Sequence, residues 1–169
     1  MSGKNILRFN VLATVLFGVS AIVAAVVFEG FAKTQGVVVA LSLFTIGIAT
    51  FLWGYWTAVQ KSRELEISVA EIYFLLGRAI PKQVKVVMHS CLAAQSVIAI
   101  ATAIARPNTL QDGAQNSSRG STLAFGVLVP ILGLGLNGLW AATYGSFGAR
   151  RLKGDSSPAE SHPDDRPIG

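Results

Sequence analysis

Two residues able to do chemistry stand two positions apart in an otherwise apolar stretch, His89 and Cys91, and a second histidine, His162, lies near the end of the chain. A histidine in such a setting can ligate haem or a metal or relay protons, and a cysteine can attack as a nucleophile when a neighbouring base activates it. The spacing argues against each role. A bis-histidine haem needs a second histidine in the same setting, and only His162 remains. A zinc or copper site needs more ligands than Met88, His89, Ser90 and Cys91 supply. A two-residue separation on a helix turns side chains in substantially different directions, so the pair makes no local dyad. His89 is therefore read as a neutral side chain hydrogen-bonded between helices, and Cys91 as a small buried hydrophobe. The spans hold no Ser/His/Asp set, phosphate-cradling loop or carboxylate pair. Catalytic residues, cofactors and metals are not expected.

The elements that must position these residues are long and greasy. Of the 169 residues, 51% are hydrophobic and 14% charged, and the mean hydropathy is +0.52, outside the range of an ordinary soluble domain. Four apolar runs, about 9–28, 36–58, 84–105 and 122–144, each exceed the roughly 18 residues that suggest a membrane helix. The first is longer than a signal-peptide core and lacks a clear A-x-A site, so it is read as a retained helix. It carries no acidic residue, which argues against a proton-driven exporter of the small four-helix type; Glu29 and Lys33 fall only at its outer end. The single cysteine excludes an internal disulfide framework.

Net charge of +5 would suggest nucleic acid in a soluble protein, but here the basic residues flank the spans. Eleven (Lys4, Arg8, Lys61, Arg63, Arg78, Lys82, Lys85, Arg150, Arg151, Lys153, Arg166) fall on one side of an even-span topology and three (Lys33, Arg106, Arg119) on the other. The excess places both termini in the cytoplasm. Trp53, Trp56 and Trp140 lie toward that same interface and, with Arg150 and Arg151, read as membrane-interface anchors.

Between the second and third runs, Leu65, Val69, Ile72, Tyr73 and Leu76 recur at helical spacing while Glu64, Ser68 and Glu71 occupy another face. Gly77 and Pro81 then supply stop signals. This pattern predicts a short amphipathic helix over about 62–77, lying at the inner membrane surface as a brace or a docking surface. Its acidic polar face argues against dedicated binding of anionic lipid, although Lys61, Arg63, Arg78, Lys82 and Lys85 at its edges could meet headgroups. The outer loop is rich in turn formers, and its Asn116-Ser117-Ser118 matches a glycosylation sequon. Residues 1–153 thus form a four-helix transmembrane domain, and 154–169 a polar tail predicted to be disordered.

Helices already in lipid gain little by hydrophobic association, so small residues and polar ties must hold them together. In the fourth run Gly126, Pro130, Gly133, Asn137 and Ala141 share one face, and Gly135, Gly138 and Ala142 a second. Pro130 cannot donate to the carbonyl of Gly126, which predicts a bend in the outer half of that helix. At about 1.5 Å per residue, Asn137 and Cys91 both fall roughly 10 Å from the cytoplasmic end, and Gln95 lies level with Gly133. The third and fourth helices are expected to face each other, with Asn137 bonding to His89 or Ser90 and Gln95 reaching across the space left by Gly133. Further small stripes lie at Ala40, Gly47 and Gly54 and at Gly18, Ala21 and Ala25.

At Phe125-Gly126, Pro130, Gly133, Gly135 and Gly138-Leu139-Trp140 the chain resembles small four-span integral-membrane proteins of actinobacteria that lack an assigned function. The resemblance covers the last span alone and implies a bacterial inner-membrane setting without transferring any catalytic residue. The fold expected is an antiparallel all-α bundle of four transmembrane helices. Its partners are expected to be the lipid bilayer and another membrane protein or a second copy, not nucleic acid. Two function classes follow: a non-enzymatic accessory or scaffold subunit, and a small transporter or channel with a path past His89, Gln95, Ser96, Thr102 and Asn137. A lipid-acting enzyme would need polar groups clustered near Arg78, Lys82 and Lys85.

Overall fold

Long apolar runs with little to interrupt them leave the backbone one way to satisfy its polar groups in lipid, the α-helix. The computed structural model describes residues 2–27, 30–76, 80–105 and 122–149. In chain order these hold α1 (Gly3–Val27), α2 (Gly30–Lys61), α3 (Val69–Tyr73), α4 (Lys82–Ala105), a 3₁₀ helix (Thr122–Leu128) and α5 (Pro130–Tyr144). The expectations placed on Glu29, Gly77, Arg78, Arg106, Asn116, Arg119, Arg150, Arg151, Lys153, His162 and Arg166, on the tail 154–169 and on the side chain of Lys33 lie outside the described residues.

Four segments are long and apolar enough to cross a membrane: Gly3–Val27, Thr34–Lys61, Lys82–Ala105 and Ala124–Tyr144. The chain is a multi-pass, all-α membrane protein. Several hydroxyls on these helices return to their own backbone, as Thr45 Oγ1 to the Leu41 carbonyl at 2.9 Å and Thr57 Oγ1 to that of Trp53 at 2.8 Å, so they need no outside partner.

Consecutive spans alternate in direction, but their order around the bundle is α1, α2, α5, α4. The second and third spans therefore occupy opposite corners. Their connection must cross the end of the bundle where α1 begins and α5 finishes, called the base below. This explains why the expected surface helix over 62–77 is cut down to the single turn of α3. The preceding residues form a turn and an isolated antiparallel bridge between Leu65 and Ala149, with the Glu66 amide donating to the Gly148 carbonyl at 2.9 Å. Ile72, Tyr73 and Leu75 are buried, while Val69 and Leu76 are exposed, so the buried set is not the helical stripe read from the sequence. Leu75 adopts a left-handed φ of 49°, a turn that costs a non-glycine residue roughly 1–2 kcal/mol and that here directs its side chain inward.

The fourth span departs from a plain helix at the expected place. Pro130 has no amide to give the Gly126 carbonyl, and that carbonyl instead accepts from the Val129 amide one residue earlier, at 3.0 Å. The tighter bonding runs back to Thr122 as a 3₁₀ helix, and Pro130 becomes the first residue of α5. Seven residues at about 2.0 Å and fifteen at about 1.5 Å together span roughly 36 Å, enough for a hydrocarbon core of about 30 Å.

The most extensive helix contact is between α2 and α5, not between the third and fourth spans. A Cβ built on Gly47 would lie 2.6 Å from the Leu132 amide nitrogen, and one on Gly135 would meet the Gly47 carbonyl. Only glycine lets these backbones touch. The second narrow face of α5 thus meets helices of its own chain, with Gly138 against the ring of Tyr73.

Candidate functional site

Polar side chains inside the bundle gather in two places. The first joins α1 to α4. Gln95, fully buried on α4, donates from Nε2 to Thr14 Oγ1 at 2.8 Å and to Asn10 Oδ1 at 3.2 Å. Thr14 Oγ1 in turn donates to the Asn10 carbonyl at 2.8 Å. Asn10 and Thr14 share a face because they are four apart on a helix. The other end of the Gln95 amide fills the space above Gly133, where an added Cβ would lie 2.8 Å from Oε1.

The second group closes the base. Asn137 Nδ2 donates to the Tyr73 carbonyl at 3.2 Å, the Tyr73 hydroxyl donates to the Phe51 carbonyl at 2.8 Å, and the Tyr73 and Phe51 rings stack with centroids 4.2 Å apart. Burial, followed by the charge of Tyr55, pushes the Tyr73 hydroxyl from its ordinary 10.0 up to about 12, which keeps it a donor. His89 reaches the same segment from outside, with Nε2 3.1 Å from the Phe74 carbonyl and Nδ1 2.8 Å from that of Lys85. Lys61 Nζ donates to the carbonyls of Ala142 (2.8 Å) and Thr143 (3.3 Å), capping the end of α5 with a charge of the favourable sign.

These positions correct several expectations. Asn137 binds the backbone of α3, and not His89 or Ser90, which are exposed on α4. The cause is the diagonal connection, which brings Tyr73 between α5 and the groups Asn137 was expected to meet. Trp140 is only 6% exposed and donates from Nε1 to the Gly3 carbonyl at 3.2 Å, so it ties α5 to the start of α1 and does not anchor in lipid. Trp53 and Trp56 do face outward, at 70% and 65% exposure. Cys91 is buried and His89 is not, which keeps them apart. Gly126 packs on the ring of Phe17.

Asn10, Thr14 and Tyr73 escaped the sequence reading. The first two fall inside the first span, where only an acidic residue was sought; polar residues four apart in an apolar helix were the available signal. Tyr73 counted there as one apolar position in a stripe.

Of the residues expected along a conduit, Gln95, Thr102 and Asn137 are buried, Ser96 is half-buried and His89 is exposed. Ser96 and Thr102 donate to their own helix, at Leu92 (2.9 Å) and at Ile98 (2.8 Å). Asn137 is bonded to the Tyr73 carbonyl in the segment that closes the base. Three buried atoms, Asn10 Nδ2, Gln95 Oε1 and Asn137 Oδ1, have no hydrogen-bond partner among the described residues. No family model matches the chain, and neither the curated proteins nor the solved structures yield a match.

Proposed function

We propose that this protein is a non-enzymatic accessory or scaffold subunit of a complex in the bacterial plasma membrane, with both termini in the cytoplasm. The observation that carries the reading is the closed base: α3 crosses beneath α5 and is fastened through Tyr73 to Phe51 and Asn137. Side-chain polarity is engaged in tying helices together, which suits a rigid element that packs against a larger component. The eleven-to-three division of basic residues supports the orientation, and the flanking position of those charges favours membrane and protein partners over nucleic acid. Gentle purification from native membranes, followed by mass spectrometry of the intact assembly, tests it. A second membrane protein at fixed stoichiometry is the expected result. An isolated chain that moves a solute across liposomes would overturn it.

A second reading, a small transporter, draws support from the unpartnered buried atoms at Asn10, Gln95 and Asn137, because polar groups left unmatched at membrane depth are expensive and often mark a pathway. It requires α3 to move away from the base.

A further inference from the structure

At the base end of α2, Trp56, Val59, Gln60 and Arg63 line a surface groove of about 400 Å³. Their spacing of three, four and seven residues from Trp56 places all four along one side of the helix and the turn that follows it. All four side chains are exposed. Lys61, two residues earlier, is held on the end of α5, whereas Arg63 has no ion pair or hydrogen bond among the described residues, even with Glu64 beside it.

We propose that this groove binds the headgroup of one anionic phospholipid. The two ends of the groove fit the two chemistries of that molecule. Trp56 and Val59 present an apolar wall with an amphipathic ring of the kind favoured at the hydrocarbon boundary. Arg63 lies two turns further on, about 10 Å along the axis, which carries its guanidinium across an interfacial layer of roughly 5–8 Å into the level of the phosphates. A guanidinium fork matches two phosphate oxygens, and Gln60 between them can donate to a third oxygen or to the glycerol esters. A zwitterionic lipid brings its own cation to the same place and gains less. The site rests on the membrane placement proposed above and is independent of the accessory role.

The test uses the full chain in phosphatidylcholine vesicles containing phosphatidylglycerol with brominated acyl chains, read by tryptophan quenching as the anionic fraction rises. The wild-type protein is expected to reach half-maximal quenching at an anionic fraction about fivefold lower than Arg63→Ala, the effect of one basic contact at the surface. Gln60→Glu, which sets a carboxylate in the groove, should shift the midpoint in the same direction, and Lys4→Ala, at the same end on α1, should leave it in place. Equal midpoints for wild type and Arg63→Ala would overturn the site, and so would an equal shift from Lys4→Ala, which would mean diffuse attraction. Loss of the preference in an excess of inorganic phosphate would assign the groove to a free anion and overturn the lipid. A stoichiometric protein partner found without any lipid preference would remove this site and leave the accessory reading standing.

Discussion

Where α2 meets α5, Gly47 and Gly135 bring one backbone against the other, whereas α1 and α4 meet through the amides and hydroxyl of Asn10, Thr14 and Gln95. Both pairs run parallel, and both sit in a medium that offers no hydrophobic gain for helices to associate. The first contact works by dispersion over a continuous surface that tolerates no added atom. The second works by a few directed bonds, each contributing about 0.6 kcal/mol in a membrane because the separated helices also find partners. Dispersion between close backbones makes a rigid pair; the amide ties set register and leave atoms over, as Asn10 Nδ2 and Gln95 Oε1 show.

The same substitution on the two faces of α5's surroundings is the most direct way to break this contrast. Gly47→Ala would put its Cβ 2.6–2.9 Å from the Leu132 nitrogen, the Leu132 Cα and the Ile131 carbonyl carbon, all backbone. The helices must separate, and the expected loss is about 3 kcal/mol, at the upper end of overpacking effects. Gly133→Ala meets Gln95 Oε1 at 2.8 Å and Leu92 Cδ1 at 3.0 Å, side-chain atoms and not backbone, but Gln95 can give way only by loosening its bonds to Asn10 and Thr14, so the expected loss is about 1–2 kcal/mol. Equilibrium unfolding in mixed micelles compares the two, and equal losses would sink the distinction between backbone and side-chain contact.

Gln95→Leu sharpens the other half. It keeps the volume and removes both donations from Nε2, leaving Asn10 Oδ1 without its partner while eliminating the unpartnered Oε1. The expected net loss is about 1 kcal/mol. In a double-mutant cycle with Asn10→Leu the two losses should be non-additive, since each removes the same bond. Strict additivity would show that the amides do not act as a tie.

Much of this was open to a reading of the residues. The four spans follow from apolar length, and the disturbance at Pro130 from a missing amide, because both are local properties of the chain. The level of Gln95 with Gly133 also followed from counting residues along two helices. The partner of Asn137 did not. It depends on which spans are neighbours, and an even alternation of four helices is compatible with several orders around the bundle. With α2 and α4 on opposite corners, the connection had to pass under α5, which converted an expected surface helix into a buried turn and placed the Tyr73 carbonyl at Asn137. Trp140 misled for a related reason: aromatic position along the helix indicates depth, whereas burial depends on which side the neighbours occupy.

The base fastening gives the smallest effect and one that pH can resolve. The Tyr73 hydroxyl is raised to about 12 from 10.0, burial first and the charge of Tyr55 second, so its neutral form is favoured in the folded protein. A group whose pKa rises on folding stabilises fully below its unfolded value and loses that contribution as pH climbs through the folded one. For Tyr73 the window is pH 10 to about 12. Tyrosinate also cannot donate to the Phe51 carbonyl, so the 2.8 Å bond is lost with the proton. Tyr73→Phe lacks the bond at every pH and should be less stable than wild type by about 0.5–1 kcal/mol near neutrality. Between pH 10 and about 12 the gap should close and then reverse, because the unfolded wild-type chain gains by ionising where the folded protein resists it, whereas Tyr73→Phe has no hydroxyl to titrate. Thermal unfolding of both across that range, with ultraviolet absorbance following tyrosinate formation, measures the gap; a constant difference through pH 12 would mean that α3 is held by the stacking on Phe51 and the Asn137 bond without the hydroxyl.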